Sequence, residues 1–269
     1  MAYSDVTVSV CQTERESWDT IWKWGWFSKD TWWHSYQLKV RPWMDSLFAL
    51  LDSLEVSSIL DCACGLGTKT AILAKQGYDV EGADASPVAA QYAPKLLTVD
   101  GLCIRFLHAR NEELGQVCQR TYDCVYSDGF DELATREELV ESAKGIYEVL
   151  TGGGVFVFAG VDVLATHSDV EECIEREWRE RVPFNVSQPI EREGIRLINL
   201  EIDEKTPEGI LEKRVFLIEE KGVLRCEIAF MMNRRKWTHD DFVEVLKEAG
   251  FRCVTTKVKA SEHFTVATK

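Results

Sequence analysis

From residue 56 onward, short apolar runs alternate with helix-length amphipathic runs, the rhythm of a parallel sheet joined by crossover helices. VSSILDC (56–62) reads as a strand. TKTAILAKQG (68–77) reads as a helix that turns Ala71, Ile72 and Ala74 to the sheet and ends on Gly77 as its cap. YDVEGADAS (78–86) is a second strand, and Pro87 suits the first turn of the next helix, with Ser86 fitted to its N-cap. LCIRFLHA (102–109), YDCVYSD (122–128) and GGVFVFAG (153–160) complete five strands, with the helix REELVESAKGIYEVL (136–150) before the last. One doubly wound unit is expected.

After Val161 the rhythm changes. The charged helix SDVEECIEREWRERV (168–182) leads into IRLINLEID (195–203), ILEKRVFLIEE (210–220) and VLRCEIAFMM (223–232), alternating runs joined by turn signals without helical spacers. They predict an antiparallel meander. Thr238 with Asp241 makes a capping box for a returning helix that stops at Gly250, and FRCVTTKVKA and HFTVATK supply two final strands. The fold class expected is α/β: a Rossmann-like, seven-stranded, mostly parallel sheet with an inserted meander and an aromatic N-terminal helical lid. The expected divisions are 1–55 for the lid, 56–161 and 238–269 for the core, and 162–237 for the insertion.

The formal charge of −14 opposes a phosphate backbone, so nucleic acid is disfavoured as substrate. No run of 18 apolar residues exists to span a bilayer, and the N-terminus lacks a basic stretch followed by an apolar one, so no membrane and a cytoplasmic location are expected. The nine cysteines read as reduced thiols, and the C-x-C pair Cys62 and Cys64 lacks the partners a metal site needs.

The chemistry is concentrated in ILDCACGLGT (59–68). A strand ending in Asp61, a turn with Gly65 and Gly67, and then a helix allow backbone to approach a nucleoside where a Cβ would collide. Nicotinamide dinucleotides and S-adenosylmethionine both use such turns, but the dinucleotide fingerprint needs a third glycine where Thr70 stands. Asp84 falls at the end of the second strand, where a carboxylate accepts from both hydroxyls of a ribose. Asp128, in YSDGFDEL, leaves the fourth strand toward the open edge and is a candidate for orienting or deprotonating an acceptor.

Together, ILDCACGLGTKTAILAKQGYDVEGADAS, YDCVYSDGFDEL and IYEVLTGGGVFVF resemble the core of the class I S-adenosylmethionine-dependent methyltransferases. In layout the chain is similar to the glycine and sarcosine N-methyltransferase group and its small-molecule relatives. The resemblance implies S-adenosylmethionine as cofactor, with Asp61, Ala63, Gly65 and Gly67 around its methionine part, Asp84 on the ribose and Ser86 beside it. Where relatives carry an Asp for the adenine amino group this chain has Arg110 and then Asn111, and only the amide can accept that hydrogen bond.

Seven of the nine tryptophans lie in the first 43 residues. They are read either as a helix face covering the core or as a lid whose rings stabilise cations. Arg41 is a candidate for the cofactor carboxylate, just before a helix expected to open at Pro42, and His34 and Tyr36 are candidates for the acceptor. The expected activity is methyl transfer to a small-molecule acceptor, first an amine nitrogen, alternatively an oxygen or sulfur. A catalytically silent cofactor-binding partner is the reading from another class. A homo-oligomer is compatible with either.

Overall fold

The computed structural model describes residues 6–159, 167–259 and 262–269. Along the chain run β1 (Thr7–Val10), α1 (Glu14–Phe27), α2 (Lys29–Ser53), β2 (Ser58–Cys62), α3 (Thr68–Gln76), β3 (Asp79–Asp84) and α4 (Pro87–Val99). Next come β4 (Phe106–His108), α5 (Leu114–Val117), β5 (Tyr122–Ser127), α6 (Arg136–Val149), β6 (Leu150–Ala159) and α7 (His167–Glu180). The chain continues through β7 (Phe184–Val186), β8 (Ile190–Arg192), β9 (Ile195–Thr206), β10 (Gly209–Glu220), β11 (Val223–Arg234), α8 (His239–Glu248), β12 (Cys253–Lys259) and β13 (Glu262–Thr268).

These elements form two compact units. One comprises Asp30–Val170 with Trp237–Lys269, the other Met1–Lys29 with Glu171–Lys236. The N-terminal segment expected as one piece to residue 55 therefore divides at Lys29, because α1 packs on the meander while α2 packs on the parallel sheet. The expected boundary at 161/162 lies outside the described residues.

In the larger unit a seven-stranded sheet has the order β12-β13-β6-β5-β2-β3-β4. The five strands from β6 to β4 are parallel, and β13 pairs antiparallel with β6 and with β12. Both faces are covered, so β5 and β6 are apolar on both sides. On one face Leu60, Val125 and Phe156 pack under Leu139, Ala143 and Ile146 of α6 and Phe242 and Leu246 of α8. On the other, Ile59, Cys124 and Val157 pack under Met44, Leu47 and Leu51 of α2 and Ile72 and Leu73 of α3. Each fully buried Leu, Ile or Phe contributes about 1.5–3 kcal/mol. The capping box at Thr238 forms as its sequence predicts: the hydroxyl accepts from Asp241 N (3.2 Å), and Asp241 Oδ2 accepts from Thr238 N (2.7 Å).

α2 corrects one expectation, since it runs unbroken from Lys29 to Ser53 with Pro42 inside it. The missing proline N–H leaves the Leu38 carbonyl without its helical donor. Leu38 is 76 % exposed, so water can take that bond.

In the smaller unit, six strands pair along β1-β11-β10-β9-β7, with β8 also on β9. β9, β10 and β11 are the expected meander, while β1, β7 and β8 were not expected. β1 adds in parallel to β11, and α1 then seals the rest of that edge, with Ser17 Oγ accepting from Phe230 N (3.0 Å) and Glu14 Oε1 from Met232 N (3.1 Å). Trp24 anchors α1 on one sheet face. It lies among Leu197, Phe216, Ile218 and Ala229, and its indole N–H donates to Glu227 Oε2 (2.7 Å).

Candidate functional site

β2, β3 and β5 end side by side at the C-terminal edge of the parallel sheet, the switch-point position where open α/β sheets bind ligands. The turn after β2 takes positive φ at every second residue: Ala63 (53°), Gly65 (54°) and Gly67 (81°). At Gly67 a Cβ would meet only ordinary contacts with Leu97 and Ala93, so the left-handed backbone, and not lack of room, requires glycine there. Ala63 holds the same conformation with a Cβ, a strained position of the kind that gathers at binding sites.

Asp84 is buried and braces this turn. Its Oδ2 accepts from Gly65 N (2.8 Å) and its Oδ1 from Ser86 N (2.8 Å). Ser86 caps α4, its hydroxyl accepting from Ala89 N (3.1 Å). Asn111 opens a short 3-10 turn two residues beyond Ala109, whose N–H bonds the Asp84 carbonyl. That pairing puts Asn111 at the same edge.

Asp61 is fully buried and accepts from Thr70 Oγ1 (2.6 Å). Burial lifts its carboxyl to about 7, partly offset by that hydrogen bond and by Lys69. Next to it on the edge, Ser127 pairs with Cys62 in register, and its buried hydroxyl has no hydrogen-bond partner. A polar atom so placed suits a bound ligand.

Asp128 is exposed just past β5. Its carboxylate accepts from Tyr126 Oη (2.8 Å) and pairs with the Lys69 ammonium, which lies 4.5 Å from the Trp43 ring centre. Burial pushes the Tyr126 phenol well above its ordinary range, so it serves as a donor rather than a base. Lys69 is the residue the sequence reading missed. Its one signal was a cation in the first turn of a helix, where the dipole disfavours it.

Three expected site residues lie elsewhere. Arg41 donates to Asp45 (2.8 Å) and to Gln76 (3.2 Å), at the opposite end of α3 from the glycine turn. His34 is exposed with Nδ1 3.9 Å from Asp100, the residue that ends α4. Tyr36 is exposed against the Trp32 ring. The continuous α2 carries all three along the flank of α3 and α4. Of the tryptophans, Trp43 joins the Lys69 cluster, Trp24 anchors α1, and Trp33 is buried with its N–H on Asp100 (3.1 Å).

The two thiols of the turn have different surroundings. Cys62 sits in the core, where burial pushes it up, and the Cys64 sulfur lies against Gly82. Among the described residues no group of three or more His, Cys, Asp and Glu could hold a metal ion. Nor is any helix long and apolar enough to cross a membrane.

The residues present therefore fit S-adenosylmethionine: a glycine turn for close approach, a buried carboxylate at Asp84, and an orphaned hydroxyl at Ser127. Residues 59–154 match the family described as "Methyltransferase domain". The chain is 24% identical over 188 residues to the "Putative methyltransferase YqeM" of Bacillus subtilis (strain 168), covering 67% of this chain and 76% of that one. The fold is similar to that of the sugar N-methyltransferase KedS8 from Streptoalloteichus sp ATCC 53650, with TM-score 0.65, 16% identity, and 100% and 98% of the two chains covered. It is also similar to S-adenosylmethionine-bound CalS10, an amino pentose methyltransferase from Micromonospora echinaspora, with TM-score 0.55, 15% identity, and 92% and 96% covered. The matched methyltransferase domain lies over the glycine turn and the strands that carry it, which supports a class I S-adenosylmethionine-dependent methyltransferase.

Proposed function

We propose that the methyl acceptor is the nitrogen of a small-molecule amine. The observation that carries this reading is Asp128, an exposed carboxylate beside the glycine turn, fixed by Tyr126 and Lys69. The bound cofactor supplies an electrophilic methyl on a sulfonium. An amine attacks only through a free lone pair, so its ammonium first gives up a proton, and in this reading Asp128 accepts it. Tyr126 holds the carboxylate in orientation. Most of the remaining barrier reduction is alignment of acceptor, methyl and sulfur. KedS8, a sugar N-methyltransferase, and CalS10, an amino pentose methyltransferase, share the fold and support the same acceptor class.

Lys69 favours a second reading, because an ammonium at the same edge would hold an anionic oxygen such as a phenolate or carboxylate. The charge of −14 supports a small molecule over nucleic acid and suits a cytoplasmic enzyme. Transfer of tritiated methyl across pools of amines, phenols, carboxylates and thiols separates the readings. Label in the amine pool is expected. Asp128→Asn should lower kcat/KM by about a hundredfold with cofactor affinity held within about threefold. Label confined to phenols or carboxylates overturns the amine.

A further inference from the structure

S-adenosylmethionine ends in an amino acid, and its carboxylate needs a donor at an edge that already carries the carboxylates of Asp61, Asp84 and Asp128. Arg41, the residue expected for that task, lies instead beside Gln76, about 10 Å along the axis of α3 from the glycine turn. Among the described residues that directly follow the ends of β2, β3, β4 and β5, the lysines and arginines are Lys69 and Arg110. Arg110 follows β4, two strands away from β2, and pairs there with Glu112 (3.2 Å). Lys69 stands two residues past Gly67.

Lys69 is built into this edge rather than draped over it. Its side chain is only 16% exposed, and its ammonium pairs with Asp128 over the face of Trp43. Trp43 is itself held between Tyr126 and Phe264, with ring centres 6.1 and 5.8 Å away. An ammonium has three donors, so the bond to Asp128 leaves two to spare. Its charge also reaches the glycine turn, where it opposes the burial that lifts Asp61. Yet the position is locally unfavourable. Lys69 sits in the first turn of α3, where the helix dipole repels a cation, and Gly67 at the N-cap offers no side chain to offset it. A local rule broken in this way is expected where a bound anion supplies the compensation.

We propose that Lys69 holds the carboxylate of the cofactor's amino-acid part while keeping its pair with Asp128. The inference rests on the cofactor assignment and not on the identity of the acceptor. It also sharpens the acceptor reading, because an ammonium between two carboxylates attracts no third anion. Lys69 then no longer favours an anionic oxygen, and Asp128 is held in place beside the loaded cofactor.

The test is binding without turnover. S-adenosylmethionine and decarboxylated S-adenosylmethionine differ only in the carboxylate, and isothermal titration of both isolates its partner. The wild-type chain should prefer the intact cofactor by about tenfold or more, the size of a hydrogen bond between charged groups. Lys69→Met keeps the aliphatic stem against Trp43 and removes the charge. It should shrink that preference to about threefold or less by weakening the intact cofactor, while affinity for the decarboxylated one stays within about threefold of wild type. The decarboxylated ligand thus reports that the variant site is folded. A preference that survives in Lys69→Met overturns the proposal by placing the carboxylate on another residue. An equal loss for both ligands also overturns it, since Lys69 would then only shape the site. Failure of the wild-type chain to bind either ligand removes the cofactor assignment itself, and the proposal with it.

Discussion

The two sheets of this protein solve the burial of apolar surface in opposite ways. The parallel sheet is covered on both faces by helices, leaving its C-terminal edge as the place where side chains of different strands meet. The meander sheet is covered on one face, around Trp24 and Phe216, and keeps an aliphatic second face. Where both faces are buried, chemistry moves to strand ends. Where one is open, aliphatic side chains such as Val8 and Phe184 stay partly exposed.

The sharpest way to break this comparison is Asp84→Ala. It removes the carboxylate expected to hold the ribose and also the acceptor for Gly65 N and Ser86 N, charge-assisted bonds worth about 1.5–3 kcal/mol each. Cofactor affinity by isothermal titration should fall about a hundredfold or more. A change under threefold in a folded chain would take the ribose away from Asp84.

A cut in the other sheet should register as stability. Trp24→Ala empties the anchor of α1 and leaves Glu227 without its indole donor, and cavities of this kind cost about 3–5 kcal/mol. Urea unfolding would measure it. A cost below about 1 kcal/mol would mean that α1 is held by its edge contacts, Ser17 and Glu14, and not by burial.

Asp61 sharpens the comparison through pH. Its folded carboxyl titrates at about 7 against 3.8 unfolded, because burial penalises the charge. A raised folded value favours the native state fully below about pH 4, and the advantage is lost as pH rises through about 7. Unfolding free energy should therefore decline across that window, by up to about 4 kcal/mol, and Asp61→Asn should flatten the decline. A wild-type decline that survives in the Asn variant would assign it to other groups.

The smallest effects belong to α2. Arg41→Ala, His34→Ala and Tyr36→Phe should each leave kcat/KM within twofold, and Arg41→Ala should cost about 0.3–0.5 kcal/mol through its exposed i,i+4 pair with Asp45. A tenfold loss in any of them would bring that residue back to the site.

The parallel core was legible because strands buried on both faces are written as apolar runs between amphipathic helices, and Gly77, Ser86 and Thr238 marked helix ends by their caps. Asp84 was legible because a strand end and a glycine turn define a switch point by position. β1 was not, since all four of its residues are exposed and its parallel partner lies more than 200 positions away. Arg41 was misplaced because Pro42 reads as a helix start, and only the exposure of Leu38 lets the helix pass through it.

By itself, then, the amino-acid order determined most elements of the parallel core, the glycine turn and the carboxylate that braces it, since each depends on backbone conformation within a few residues. Tertiary structure alone decided that Lys69 reaches Asp128, 59 positions on, and that the N-terminal tryptophans divide between two units. It also decided that one face of the meander stays open. Those outcomes depend on which surfaces meet, and hydrophobic burial carries no direction that a local pattern could record.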